Sequence, residues 1–124
     1  MARILVIDDE PDVRTFIATA LIRDGHMVVT AGNGYEGVEL YRRDPMDVVI
    51  TDIFMPDQDG LQTIIQLRKE SPDLKIICIS GGGNYVLGDY LPAAKRFGAN
   101  VVLSKPISVS ELRHAVNRIL SIAK

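Results

Sequence analysis

From Val48 to Pro56 the chain reads Val-Val-Ile-Thr-Asp-Ile-Phe-Met-Pro. The first three residues are apolar without alternation, the pattern of a strand covered on both faces. Asp52 stands where such a strand runs out, at the carboxyl edge of a sheet, and open α/β sheets place their ligand sites there. Three further apolar runs end the same way: residues 4–7 before Asp8-Asp9, 76–79 before Ser80, and 101–103 before Ser104-Lys105.

Helical patterns fill the gaps between these runs. Strand one spans 3–7. Pro11 then suits the first turn of a helix whose stripe is Val13, Phe16, Ile17, Ala20 and Leu21, with Gly25 as its stop. Strand two spans 27–31. Asn33 caps a second helix, Glu36 completes a capping box, and Asp44-Pro45 ends it. Strand three spans 47–52. The loop 55–60 opens a helix carrying Leu61, Ile64 and Ile65, which stops near Ser71-Pro72. Strand four spans 75–80, and Gly81-Gly82-Gly83 follows with the greatest backbone freedom in the chain. The next helix begins near Leu91 or bends at Pro92, and Gly98 closes it. Strand five spans about 100–103. Ser108 caps the last helix with Glu111 three residues on, above an inner face of Val109, Leu112, Val116, Ile119 and Leu120. Five βα units without a linker or composition break predict one α/β domain over residues 1–124, with a parallel sheet wrapped on both faces and no output domain.

Composition narrows the function. Of 124 residues, 47% are hydrophobic, enough for a core, and the net charge of −2 shows no basic excess for nucleic acid. The apolar runs are too short to span a membrane, and with Met1 leading into a strand no signal peptide is expected. The one cysteine, Cys78, lies in an apolar run and reads as a core thiol. A cytoplasmic setting is expected.

If Asp8, Asp9 and Asp52 converge, two carboxylates about 4 Å apart repel by roughly 4 kcal/mol at an effective dielectric near 20. A cation is needed, and a partly hydrated oxygen site suits Mg²⁺ (or Mn²⁺). Such an ion screens the acids and holds phosphoryl oxygens. Lys105 brings a second positive charge and Ser80 a hydroxyl, which leaves Asp52 as a nucleophile able to form an acyl phosphate. Singly, each residue has an ordinary alternative. Asp8-Asp9 is a helix-capping pair, Ser80 a turn residue, Lys105 a solvated charge and Pro106 a helix starter. Placement at four strand ends favours the joint reading. Asp59 reads as a helix cap, Asp57 as loop surface, and His26 and His114 as residues outside any cluster. Tyr85 and Tyr90 suit core packing and a partner surface equally.

These pieces resemble the receiver domain of two-component response regulators, chemotaxis-regulator-like, over essentially the whole chain. The matching motifs are Ile7-Asp8-Asp9-Glu10-Pro11, Asp52-Ile53-Phe54-Met55-Pro56 with Asp59-Gly60, Ile79-Ser80-Gly81, and Gly98-Ala99 leading to Lys105-Pro106. The resemblance implies a single-domain (βα)5 flavodoxin-like, doubly wound sheet of order 2-1-3-4-5. It implies Asp52 as phosphoacceptor, with a histidine kinase or phosphotransfer protein as donor. It gives the metal Asp8, Asp9, Asp52 and the Phe54 carbonyl, and the phosphoryl group Ser80 and Lys105. A Lys105-Pro106 cis peptide is also implied. The chain would catalyse only its own phosphorylation and dephosphorylation, and would pass the signal to a downstream protein through the helix before Gly98, strand five and the last helix. A homodimer could form through the same face.

Two departures stand out. The family's switch aromatic, three residues before the lysine, is Val102 here; the Gly81-Gly82-Gly83 loop and Pro92 are expected to replace it with a backbone rearrangement. Phe54, two after the acceptor, occupies a commonly polar position and is expected to hinder attacking water. One rival motif exists. Gly32-Asn33-Gly34-Tyr35-Glu36-Gly37 is a G-x-G-x-x-G after a strand and opening a helix, as in a dinucleotide site. That reading leaves Asp8-Asp9 and Lys105-Pro106 idle and puts the site on an edge strand, so the glycines are assigned to a tight turn and close helix packing.

Overall fold

A computed structural model of the chain describes residues 2–53, 60–80 and 98–121. In chain order the elements are β1 (Arg3–Ile7), α1 (Pro11–Arg23), β2 (Met27–Ala31), α2 (Gly34–Arg43), β3 (Val48–Asp52), α3 (Gly60–Glu70), β4 (Lys75–Ser80), β5 (Val101–Ser104) and α4 (Val109–Leu120). The five strands are all parallel, in the order β2-β1-β3-β4-β5. The loop at 55–59, the glycine run, Tyr85, Tyr90, Pro92 and the helix expected before Gly98 lie outside the described residues.

Successive strand residues point to opposite faces, so an unbroken apolar strand needs two cores. On one face, Leu5, Ile7, Val49, Ile76 and Cys78 pack with Val38 and Tyr41 of α2 and Ile64 and Leu67 of α3. On the other, Ile4, Val6, Ile50, Ile77 and Ile79 pack with Ile17 and Leu21 of α1 and Leu112, Val116 and Ile119 of α4. All of β3 is buried, while the edge strand β2 keeps Met27 and Val29 exposed.

Local signals act at the helix ends. Pro11 sits in the first turn of α1, and Gly25 follows its end with φ +90°. Ser108 and Glu111 form a complete capping box on α4. At α2 only half the expected box forms. Asn33 Oδ1 accepts the Glu36 N–H at 2.8 Å, but the Glu36 carboxylate accepts the Gly32 N–H at 2.7 Å, stabilising the turn before the cap. Phe16, expected on the buried stripe of α1, is 41% exposed, because Ile17, Ala20 and Leu21 already fill that contact. Strand β3 begins at Val48 instead of Asp47, whose carboxylate accepts the Arg3 N–H at 2.9 Å and closes the turn.

At the amino ends of the strands one arginine ties several segments together. The Arg68 guanidinium donates to the carbonyls of Pro72 (2.7 Å), Leu74 (2.5 Å) and Gly98 (2.6 Å) and to Asn100 Oδ1 (3.1 Å). Asn100 Oδ1 also accepts the Ile76 N–H at 2.8 Å. The end of α3, the start of β4 and the entry to β5 are thereby joined. Gly98, at φ +127°, runs so close that a Cβ there would sit 3.0 Å from Arg68 Nε. No helix among the described residues is long and apolar enough to cross a membrane.

Candidate functional site

Strand register alone brings the sequence-predicted residues to one edge. Ile7 pairs with Thr51, so the next residues, Asp8 and Asp52, continue side by side past β1 and β3. Asp52 pairs with Ile79 and Ser80 with Ser104, which brings Ser80 and the start of Lys105 to the same edge of the sheet. The Ile53 N–H donates to the Ile79 carbonyl at 2.9 Å and holds the chain in place just beyond Asp52.

Lys105 reaches across this edge. Its Nζ donates to Asp52 Oδ2 at 2.9 Å and to Glu10 Oε1 at 3.0 Å, and lies 3.5 Å from Asp8 Oδ2. The Lys105–Pro106 peptide bond is cis. Asp8 and Asp52 are 1% and 2% exposed, so their charges sit behind the protein surface. Asp8 Oδ1 accepts the Glu10 N–H at 2.9 Å, and Arg14 donates to the Asp8 carbonyl at 2.7 Å. Asp8 Oδ2 has no hydrogen-bond partner among the described residues; its contact with Lys105 is an ion pair without hydrogen-bond geometry.

Burial, and then the nearby Asp52 charge, raise the Asp8 carboxyl to a pKa of about 6, against the opposing pull of the Glu10 N–H and Lys105. Burial disfavours the Lys105 ammonium, but its hydrogen bonds to Asp52 and Glu10 and the charges of Asp52 and Asp8 outweigh it, so its pKa rises and it stays charged. One oxygen from each of Asp8, Glu10 and Asp52 lies within 4.8 Å of the others. Hard oxygen donors, an excess of negative charge and a buried acceptor without a hydrogen-bond partner fit a small divalent cation.

The predicted residues fare differently. Asp8, Asp52 and Lys105 meet. Asp9 follows Asp8 at the end of β1, half-buried, and its carboxylate is not in the three-acid cluster. Phe54 lies outside the described residues. Ser80 closes β4, and its side chain is likewise outside what is described. Val102 is half-buried against the core shared with α2 and α3. His26 is structural: its Nδ1 accepts the Ala2 N–H at 3.1 Å. Glu10, quoted only within a motif, is the acid that sequence reasoning missed. Its signal was position, two residues past Asp8, where the turn back into α1 returns it to the cluster.

The glycine motif serves packing. A Cβ on Gly37 would lie 2.3 Å from Ile7 Cδ1, so its absence lets α2 approach β1. The Gly32 N–H, which a phosphate would need, is already taken by Glu36. Beside the acidic cluster, an apolar groove of about 550 Å³ runs between Val13 and Phe16 of α1 and Lys105, Pro106 and Ile107.

The family model for the response regulator receiver domain matches residues 4–117. The chain is 35% identical over 123 residues to protein PilH of Pseudomonas aeruginosa, covering 98% of this chain and 99% of that protein. It is 39% identical over 120 residues to the DNA-binding transcriptional regulator NtrC of Azospirillum brasilense, covering 97% of this chain but 24% of that protein, so it spans about a quarter of that relative. Among solved structures, the receiver domain of NtrX from Brucella abortus aligns with a TM-score of 0.90 at 30% identity, over 97% of this chain and 99% of that one. With its five-stranded sheet and buried acids beside a lysine, the chain belongs to the response regulator receiver domain family of two-component systems.

Proposed function

We propose that Asp52 is the residue this receiver phosphorylates. The observation that carries the reading is the Lys105 ammonium 2.9 Å from Asp52 Oδ2, inside a pocket where Asp8 Oδ2 has no hydrogen-bond partner among the described residues. Asp52 attacks phosphorus with a carboxylate oxygen. The new O–P bond forms as the donor's P–N bond breaks, and a histidine nitrogen leaves with the electron pair. Lys105 neutralises charge that builds on the phosphoryl oxygens, and Ser80 at the end of β4 supplies a hydroxyl to one of them. Asp8 and Asp52, joined on the family resemblance by Asp9 and the Phe54 carbonyl, would hold Mg²⁺ or Mn²⁺, which would supply charge neutralisation and orientation for the transferring group.

The donor is a histidine kinase or phosphotransfer protein. The groove formed by Val13, Phe16 and Ile107 supports this, since an apolar surface there seats a donor helix beside Lys105. The phosphoryl group adds about −1.5 to −2 charge at Asp52 and biases an existing equilibrium between two conformations, read by a downstream protein. The test is intact mass after incubation with acetyl phosphate and Mg²⁺. One added phosphoryl group in the wild type, absent from Asp52→Asn and from metal-free samples, is expected. An equal gain in Asp52→Asn would move the acceptor elsewhere.

A further inference from the structure

Glu10 occupies the N-cap position of α1, yet its side chain makes no cap hydrogen bond. Short side chains such as Asp or Ser at that position accept a first-turn N–H, which leaves the longer Glu10 chain available for other contacts. Here the backbone is held differently, with the Glu10 N–H donated to Asp8 Oδ1 at 2.9 Å, and the carboxylate turns to Lys105 Nζ at 3.0 Å. Its side chain is 60% exposed while Lys105 is only 14% exposed. Glu10 is thus the solvent-facing partner in a pair whose other member is also held by Asp52.

Resting on the assignment of Asp52 as acceptor, we propose that Glu10 is a specificity-determining residue that holds the Lys105 ammonium in the resting state and disfavours small anionic phosphodonors. A dianion such as acetyl phosphate must reach Asp52 past one extra negative charge. It must also take from Glu10 the ammonium that will neutralise its own oxygens. A protein donor brings docking contacts that offset both costs and can swing the exposed Glu10 side chain aside. With acetyl phosphate the Asp52 oxygen forms the O–P bond, the P–O bond to the acetyl group breaks, and acetate leaves with the electron pair. Glu10 takes no part in the bonds; it sets the field in which they change.

The test compares Glu10→Gln, which keeps shape and removes charge, with the wild type. Phosphorylation by acetyl phosphate at low ionic strength is expected to speed up about five-fold, the scale of one partly screened charge at this distance. The gain should shrink toward unity in 0.5 M NaCl, and should be smaller with phosphoramidate, which carries less net negative charge. Mg²⁺ affinity by calorimetry should fall by no more than about five-fold, the effect of the same lost charge on a dication, and the rates are compared at saturating Mg²⁺. An unchanged or slower rate, or a gain indifferent to salt, overturns the proposal. A Mg²⁺ affinity loss of ten-fold or more also overturns it, by making Glu10 an ion ligand. A second readout needs no phosphorylation: proton exchange with water at the Lys105 ammonium, followed by NMR, should quicken in Glu10→Gln. Unmoved exchange overturns the latch. A wild type that gains no phosphoryl group from any donor, with exchange altered as expected, would instead overturn the acceptor assignment and leave the latch standing.

Discussion

The two ends of the sheet handle charge in opposite ways. At the amino end, Arg68 is a single cation whose donors meet carbonyl oxygens of Pro72, Leu74 and Gly98 and the Asn100 amide. Burial lowers its pKa without leaving it alone. At the carboxyl end, two buried acids and Glu10 share one ammonium, and Asp8 Oδ2 has no hydrogen-bond partner among the described residues. Satisfied polar groups rigidify, whereas uncompensated ones raise the energy of the folded state and await a ligand. One end therefore holds the chain together, and the other is kept in readiness at the expense of stability.

Breaking the satisfied end should cost most. Arg68→Ala is expected to lower unfolding free energy by about 3 kcal/mol, since three backbone carbonyls, two of them in part-buried contacts, and Asn100 Oδ1 lose a charged donor together. Denaturant titration would show it, and Mg²⁺ affinity should change less than two-fold. Coupled loss of both properties would mean that the ends are not independent.

Asp8→Asn should act in the reverse direction. The carboxyl has a folded-state pKa of about 6 against an ordinary value of 3.8. The folded chain thus binds the proton more tightly than the unfolded one, so stability rises as pH falls through 6 toward 4 and is lost as pH rises through 6. Above that window the ionised acid costs on the order of 3 kcal/mol. Metal-free Asp8→Asn is expected to be about 2 kcal/mol more stable than the wild type at pH 8. The gap should close near pH 4, and Mg²⁺ binding should weaken at least ten-fold. A stability difference independent of pH would remove Asp8 as the source of the strain.

Gly37→Ala probes the packing that supports the acidic end. Its Cβ meets the flexible tip of Ile7, so a loss of about 1–2 kcal/mol is expected, with Ile7 forced to another rotamer. The smallest effect belongs to Arg42→Ala. Its pair with Glu70 spans α2 and α3 in the open, and thermal unfolding should not shift measurably.

Legibility in the sequence followed the same division. The carboxyl edge was readable because four apolar runs end in polar residues that together suit one chemistry, and parallel register then aligns those ends. Asp8, Asp52 and Lys105 were found this way. Glu10 escaped because an exposed acid next to Pro11 looks like any helix start; only the turn geometry returns it to Lys105. The amino end was not readable at all. Arg68 looks like a surface residue of α3, and its acceptors are mostly backbone carbonyls, which leave no trace in residue identity. Phe16 shows a related limit, since helical spacing places it near a stripe but cannot tell which neighbours fill the contact first.

Cys78 lies in the middle of β4, fully buried, with its thiol pushed well above the ordinary range by burial and by the Asp52 charge. An alkylating reagent therefore meets this sulfur only when the strand leaves the sheet. With a single thiol in the chain, the labelling rate becomes a clock for opening of the central sheet. Run with and without magnesium, that clock would time how firmly the occupied acidic end closes the strands beneath it.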